Sequence, residues 1–160
     1  EDGIRDKLVT GVQTCALPIS CHDLGLTAIA LYSDVDRTAL HVRLADEAYP
    51  IGGKTPSESY LRIDKILEVA RKAKADAIHP GYGFLSENGG FAQAVVDAGF
   101  TFIGPEARII ELLGDKAQAR KAMDGAGVPI VPGTPVLPTL QDAEAAAARI
   151  GYPEIGRAHV

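Results

Sequence analysis

The stretch best equipped for chemistry is His79-Pro-Gly-Tyr-Gly-Phe-Leu-Ser-Glu-Asn88. Two glycines let a backbone approach a ligand closely, and Tyr82 between them offers a flat apolar face with a polar tip. His79, Glu87 and Asn88 place titratable and amide groups around it. The string follows a short strand-like run, Asp76–His79, and open α/β sheets take their ligands at the carboxyl ends of strands. The same residues also suit a tight turn in which Tyr82 packs on a neighbouring helix and Glu87 caps it. Spacing alone leaves both readings open.

A second point of interest is Gly114-Asp-Lys116. A lysine in the first turn of a helix can aim its ammonium at phosphate oxygens, helped by nearby backbone N–H groups. The alternative is a helix cap beside a solvated side chain. No Walker string and no Gly-x-Gly-x-x-Gly fingerprint occurs. Ser33-Asp-Val-Asp-Arg37, after a strand-like run, could meet a ribose hydroxyl, but without the glycine fingerprint it reads better as a capped loop with a local ion pair. His22, His41, His79 and His159 are scattered, with no Cys/His spacing of a metal site. His41 and Arg43 read as surface or structural groups.

The elements that must position these residues alternate. Leu26–Tyr32 is a nearly continuous apolar run, as expected of a strand buried on both faces of a parallel sheet. Thr38–Leu44 is predicted as a short helix and Glu47–Ile51 as a short strand. Thr55-Pro-Ser-Glu58 carries the signature of a helix start. Ile63, Ile66, Leu67 and Ala70 then form one apolar stripe, and Asp76–His79 is the next strand. A helix over Phe91–Ala98 closes at Gly99, and Phe100–Ile103 is strand-like. Two helices follow, Glu106–Leu113 and Lys116–Met123, the second capped by Asp115. Val128–Val131 reads as a strand, and Pro129, Pro132, Pro135 and Pro138 mark an extended connection. Thr139 with Asp142 opens a last helix ending at Ile150. Strand–helix alternation predicts an α/β fold, a parallel sheet with helices on both faces. The segment up to about Ile19 shows no sustained period and is interrupted by Gly3, Gly11 and Pro18.

The bulk composition narrows the function classes. Sixteen basic and 21 acidic residues leave a net charge of −5, which points to neither nucleic acid nor an anionic membrane as partner. No run reaches the roughly 18 apolar residues of a membrane span. Cys15 and Cys21 are too few for a disulfide framework, and a reduced, cytoplasmic setting is the simplest expectation.

Taken together, Tyr32–Arg37, His41–Glu47, Ser59-Tyr-Leu61, His79–Asn88, Phe102-Ile-Gly-Pro105, Gly114-Asp-Lys116 and Gly127–Gly133 occur in the order of the biotin carboxylase family, which the chain resembles from about Cys21 to Pro153. The ten-residue His79–Asn88 string is highly specific. The resemblance implies an ATP-dependent ligase that uses magnesium (or manganese) and bicarbonate to make a carboxyphosphate-type intermediate. It then carboxylates biotin on a biotin carboxyl carrier protein. A carboxyltransferase component completes the reaction, and the full-length enzyme is expected to be a homodimer. Acetyl-CoA or propionyl-CoA carboxylase, a setting in fatty acid biosynthesis for the former, leads as context, with pyruvate carboxylase next. By the same resemblance Lys116 contacts ATP, Tyr82 and Gly83 lie beside the biotin and bicarbonate pocket, and His79 and Glu87 brace that loop. Metal ligands are expected outside this segment.

The resemblance also implies a domain plan. Residues 20–112 would form a Rossmann-like N-terminal domain and 113–153 the start of an ATP-grasp domain. Residues 1–19 and 154–160 do not follow the family pattern. They are similar to translated adapter sequence, a non-native leader and tail around an N-terminal fragment. On that reading the first strand of the sheet is missing, its neighbours keep unpaired edges, and the polypeptide is marginally stable and inactive. Two other readings compete. One is another ATP-grasp ligase, such as a carbamoyl phosphate synthetase or a purine-pathway ligase; the other is a non-catalytic α/β binding module.

Overall fold

Central strands buried on both faces set the architecture. The computed structural model describes residues 7–10 and 15–153. These fall into two compact units, the first ending at Gly114 and the second starting at Asp115. The first unit holds β1 (Lys7–Thr10), α1 (Ala16–Asp23), β2 (Thr27–Tyr32), α2 (Leu40–Leu44), β3 (Glu47–Pro50), α3 (Ile63–Ala73), β4 (Ala77–His79), α4 (Gly89–Asp97), β5 (Thr101–Phe102) and α5 (Ala107–Gly114). Its sheet is wholly parallel, in the order β3-β2-β1-β4-β5.

Register sorts the side chains into two layers. Val9 lies opposite Ile29 on one side and Ile78 on the other, and all three are fully buried. They meet Ile66 and Ala70 of α3 and Phe91 and Val95 of α4 in the main core. One residue earlier, Leu8 lies between Ala28 and Ala77, and this row points the other way, as strand geometry requires. Leu8 and Ala28 cluster with Cys21 of α1. Helices therefore cover both faces, and the central strands are apolar on both. Pro50, which has no N–H for a ladder, closes β3 at the sheet's edge.

This arrangement corrects the expectation of a missing first strand. Lys7-Leu-Val-Thr10 occupies the central position, paired with β2 and β4. Of the segments set apart as leader and tail, residues 1–6, 11–14 and 154–160 lie outside the described residues. Two further expectations change. The Thr55 capping box closes only a single 3₁₀ turn, Pro56–Glu58, and the striped helix starts separately at Ile63. Val128–Val131 forms no strand, because Pro129 interrupts it, Pro132 follows it and no partner ladder runs alongside. Of the two readings left open for His41, it takes the structural one: it is buried, its Nε2 3.2 Å from the Leu31 carbonyl oxygen. The second unit consists of α6 (Lys116–Gly125), the proline-rich connection and α7 (Leu140–Ile150), with Thr139 capping α7 through the Asp142 N–H. No helix among the described residues is long and apolar enough to cross a membrane.

The amino ends of the strands carry an electrostatic brace. The Asp46 carboxylate accepts the Ala28 N–H at 2.8 Å and lies 3.1 Å from His22 Nε2. Glu47 accepts from Lys7 Nζ and from the Tyr49 hydroxyl, both at 2.7 Å. The Ala28 N–H is the main cause holding Asp46 below its ordinary 3.8, and the Lys7 ammonium holds Glu47 below 4.5. A carboxylate with a lowered folded value contributes its full stability above the unfolded value and loses it as pH falls through the folded one. Lys7 is raised chiefly by that same Glu47 carboxylate, so its share holds at neutral pH and is lost in acid together with the carboxylate. The share of the urea midpoint that these two carboxylates supply should thus be level above about pH 4.5 and decline below it. Asp46→Asn, which keeps an acceptor for Ala28, should make that decline shallower. An unchanged slope would remove Asp46 from the account.

Candidate functional site

The strand order reverses between β1 and β4: the chain builds outward from β1 to β2 and β3, then returns to add β4 and β5 on the other side. The crevice beyond the carboxyl ends at such a reversal is where open α/β sheets bind ligands. His79 ends β4, in register with Thr10 at the end of β1, so Gly81-Tyr-Gly83 leaves the sheet at this place.

Each end of the loop is fixed. The Gly81 N–H donates to Nδ1 of half-buried His79 at 2.9 Å. Burial pushes the His79 imidazole below its usual 6.5, which favours the neutral ring that this acceptor role needs. Downstream, Phe84–Glu87 makes one 3₁₀ turn with Leu85 buried beneath it. Asn88 Oδ1 accepts the Phe91 N–H at 2.8 Å and caps α4. Gly89 then lets α4 pass close to α5, since a Cβ there would sit 2.8 Å from the Ala107 carbonyl oxygen and collide with Glu111. Between these supports Gly81 and Gly83 have φ of 77° and 79°, and Gly83, at ψ −168°, occupies a region open essentially to glycine alone. Tyr82 is 92% exposed. The packed-turn alternative for Tyr82 is therefore not what the chain adopts.

Glu87 does not brace the loop through its side chain. It is exposed and its carboxylate has no partner among the described residues; Asn88 makes the cap instead. Sequence reading also missed Tyr60 and Phe84. Tyr60 is buried, accepts the Ser33 N–H at 3.0 Å, donates to Asp36 at 2.8 Å and stacks on Phe84 with ring centroids 6.0 Å apart. The Ser33–Arg37 segment is thus a loop closed partly by Ser33 Oγ on Asp36 and partly by Tyr60. A lone tyrosine between two turns carries no periodicity that would have marked it.

In the second unit Lys116 is the first residue of α6, exposed, and its ammonium has no partner among the described residues. The expected help from backbone N–H groups is absent. Asp115 Oδ1 accepts both the Ala117 and Gln118 N–H groups at 2.9 Å. Any anion here would meet an ammonium, not an open helix end. An open groove of about 350 Å³ lined by Ala92, Val96, Phe102 and Pro105 includes no residue of the loop and gathers no reactive set, so the loop remains the candidate site.

The His79 contact yields a prediction. His79→Ala leaves the Gly81 N–H without its acceptor, at a cost of about 1–2 kcal/mol. His79→Asn should recover most of that, because an Asn side-chain oxygen accepts the N–H two residues on in an ordinary Asx turn. Urea unfolding of the three proteins checks this; equal losses in both variants would contradict it.

Fold and site together define an α/β domain that offers a ligand-facing loop at the switch point of a parallel sheet. Residues 10–110 match the family model described as biotin carboxylase, N-terminal domain, and the chain belongs to that family. Residues 115–160 match the model for the carbamoyl-phosphate synthase L chain, ATP binding domain. Biotin carboxylase 2 of Bacillus subtilis is 53% identical over 137 residues, covering 84% of this chain and 30% of the relative. A pyruvate carboxylase subunit from Methanothermobacter thermautotrophicus is 50% identical over 140 residues, covering 87% and 28%. Among solved structures, the biotin carboxylase domain dimer of Hydrogenobacter thermophilus 2-oxoglutarate carboxylase, in complex with MgADP, ADP and bicarbonate, superposes with a TM-score of 0.85 at 43% identity, covering 92% of this chain and 33% of that one. The chain thus spans about a third of the length of these relatives.

Proposed function

We propose that the whole protein is a biotin carboxylase, which uses ATP and bicarbonate to carboxylate biotin held on a carrier protein, and that this segment supplies its Tyr82 loop. The observation that carries the reading is the placement of Gly81-Tyr-Gly83, rigidly held yet exposing Tyr82, at the switch point of a sheet of this family. The residues suit the groups. An almost fully exposed phenol ring on a fixed loop can lie against a ureido ring, and its hydroxyl can meet a carboxylate-like anion. The exposed ammonium of Lys116 suits a phosphate oxygen of ATP. Bound ATP would supply the phosphoryl group that activates bicarbonate. Tyr82 would orient the acceptor ring, Gly83 would keep the backbone close to it, His79 would hold the loop, and Lys116 would fix nucleotide charge. Magnesium or manganese would enter with the nucleotide, and no described residue is assigned to it.

The relative with MgADP and bicarbonate supports the ligand classes, and its dimeric state supports a homodimer. A biotin carboxyl carrier protein and a carboxyltransferase are the expected partners. Relatives at comparable identity include pyruvate and 2-oxoglutarate carboxylases. The carboxyltransferase, a separate component, selects the final acceptor, and acetyl-CoA is one of several that relatives of this kind serve. The carbamoyl phosphate synthetase alternative is not favoured, because the relatives that match across both units are carboxylases.

The test grafts residues 21–153 into Bacillus subtilis biotin carboxylase 2 and varies two positions. Tyr82→Ala should raise KM for biotin about tenfold or more with little change in KM for ATP, and Lys116→Ala should do the reverse. Identical kinetics in both variants would overturn the roles.

A further inference from the structure

Phe84 holds a backbone conformation that aromatic residues seldom adopt. Its φ is 47°, directly after Gly83 at 79°. A left-handed turn at a residue with a bulky side chain is unfavourable and persists only where its surroundings impose it. Part of what surrounds Phe84 is visible. Its ring, half exposed, lies nearly parallel to that of Tyr60, with 10° between the planes. Tyr60 is itself fixed: it is 3% exposed, and its hydroxyl accepts the Ser33 N–H and donates to the Asp36 carboxylate, which also takes the Ser33 hydroxyl. These anchors lie at the carboxyl end of β2, one strand beyond β1 and on the side away from β4.

We propose that Tyr60 is a positioning residue for the Tyr82 loop: its ring, anchored at the end of β2, holds Phe84 in the left-handed conformation and so sets the direction in which Tyr82 projects. His79 fixes the loop before Tyr82 and Tyr60 fixes it after. Without the stacked ring, Phe84 relaxes to negative φ, the turn between Gly83 and Leu85 changes hand, and Tyr82 turns with it. The importance of this for a ligand rests on the proposed biotin carboxylase function, while the conformational claim does not.

The test uses the full 160-residue chain, isotope-labelled, without ligand, so its outcome is separable from that of the biotin reading. A positive φ gives a strong intraresidue amide-to-Hα Overhauser effect. That signal is expected at Phe84 in the unaltered chain. Tyr60→Phe keeps the ring and should keep the signal, even though the variant is less stable for want of the hydroxyl. Tyr60→Leu should lose it while the core amides of Ile29, Ile78 and Val95 stay dispersed. Retention of the signal in folded Tyr60→Leu, or its loss in Tyr60→Phe, overturns the proposal. If Tyr60→Leu does not fold, heating the unaltered chain short of unfolding decides. The Phe84 signal must fade together with the Tyr60–Phe84 ring contacts, and a signal that outlasts them overturns the proposal.

Discussion

Phe91→Ala is expected to destabilise the first unit by about 3–5 kcal/mol, the usual cost of emptying a large aromatic site in a core. Phe91 is 2% exposed and meets Phe102 edge-to-face, with centroids 6.0 Å apart and planes at 84°. It stands in the first turn of α4, with its N–H in the Asn88 cap, so it joins the helix that carries the loop's far end to the β4–β5 side of the sheet. Collapse around the cavity is limited, since both the strand row and the cap fix the backbone nearby. Against a total stability of about 5–15 kcal/mol for a domain, such a loss removes a large share of the margin and should lower the urea midpoint markedly. Tyr82→Ala is the control: a 92% exposed ring should alter stability by less than about 0.5 kcal/mol. Urea unfolding followed by circular dichroism measures both. Similar midpoints for the two variants would mean that the α4 face is not the core described here.

Val9→Asp is expected to abolish cooperative folding. Val9 has no exposed surface and lies between Ile29 and Ile78 in the middle strand, facing the helices of the main core. A carboxylate placed there has no counter-charge in the core cluster, and an uncompensated buried charge costs several kcal/mol or forces the group to neutralise. The variant also separates two views of the amino end. If residues 7–10 were a passive leader, Val9→Asp would leave the unfolding transition untouched. If they are the central strand, the transition should broaden or vanish, while the same change at Val96, 56% exposed on α4, should be mild.

The difference between these views shows where sequence reading succeeds. Thr27–Tyr32 was legible because a strand buried on both faces must be apolar throughout, and the α3 stripe because one helical face must be. Lys7–Thr10 is only four residues, two of them apolar, between polar and glycine neighbours; its strand identity comes from pairing on both sides, which no local pattern encodes. Pro18 reads as an interruption, yet it sits in the first turn of α1, where no intrahelical partner awaits its missing N–H. At the site, the Gly-Tyr-Gly string and the Asp115 cap were visible from residue types. That the cap uses up the N–H groups near Lys116, and that Tyr60 reaches Phe84, are tertiary facts. Glu87 was assigned to the loop's support by position in a motif, and its neighbour Asn88 has the geometry that a cap requires.

The central claim is that residues 21–153 carry a working Tyr82 loop and Lys116 for a biotin carboxylase. It is tested most directly by ADP release from the graft into the Bacillus subtilis relative, measured with and without bicarbonate and free biotin. Release that depends on both, at a rate within about tenfold of the parent enzyme, is the expected result, a difference of roughly 1.4 kcal/mol in barrier. A folded graft that binds ATP but shows no biotin-dependent release would contradict it.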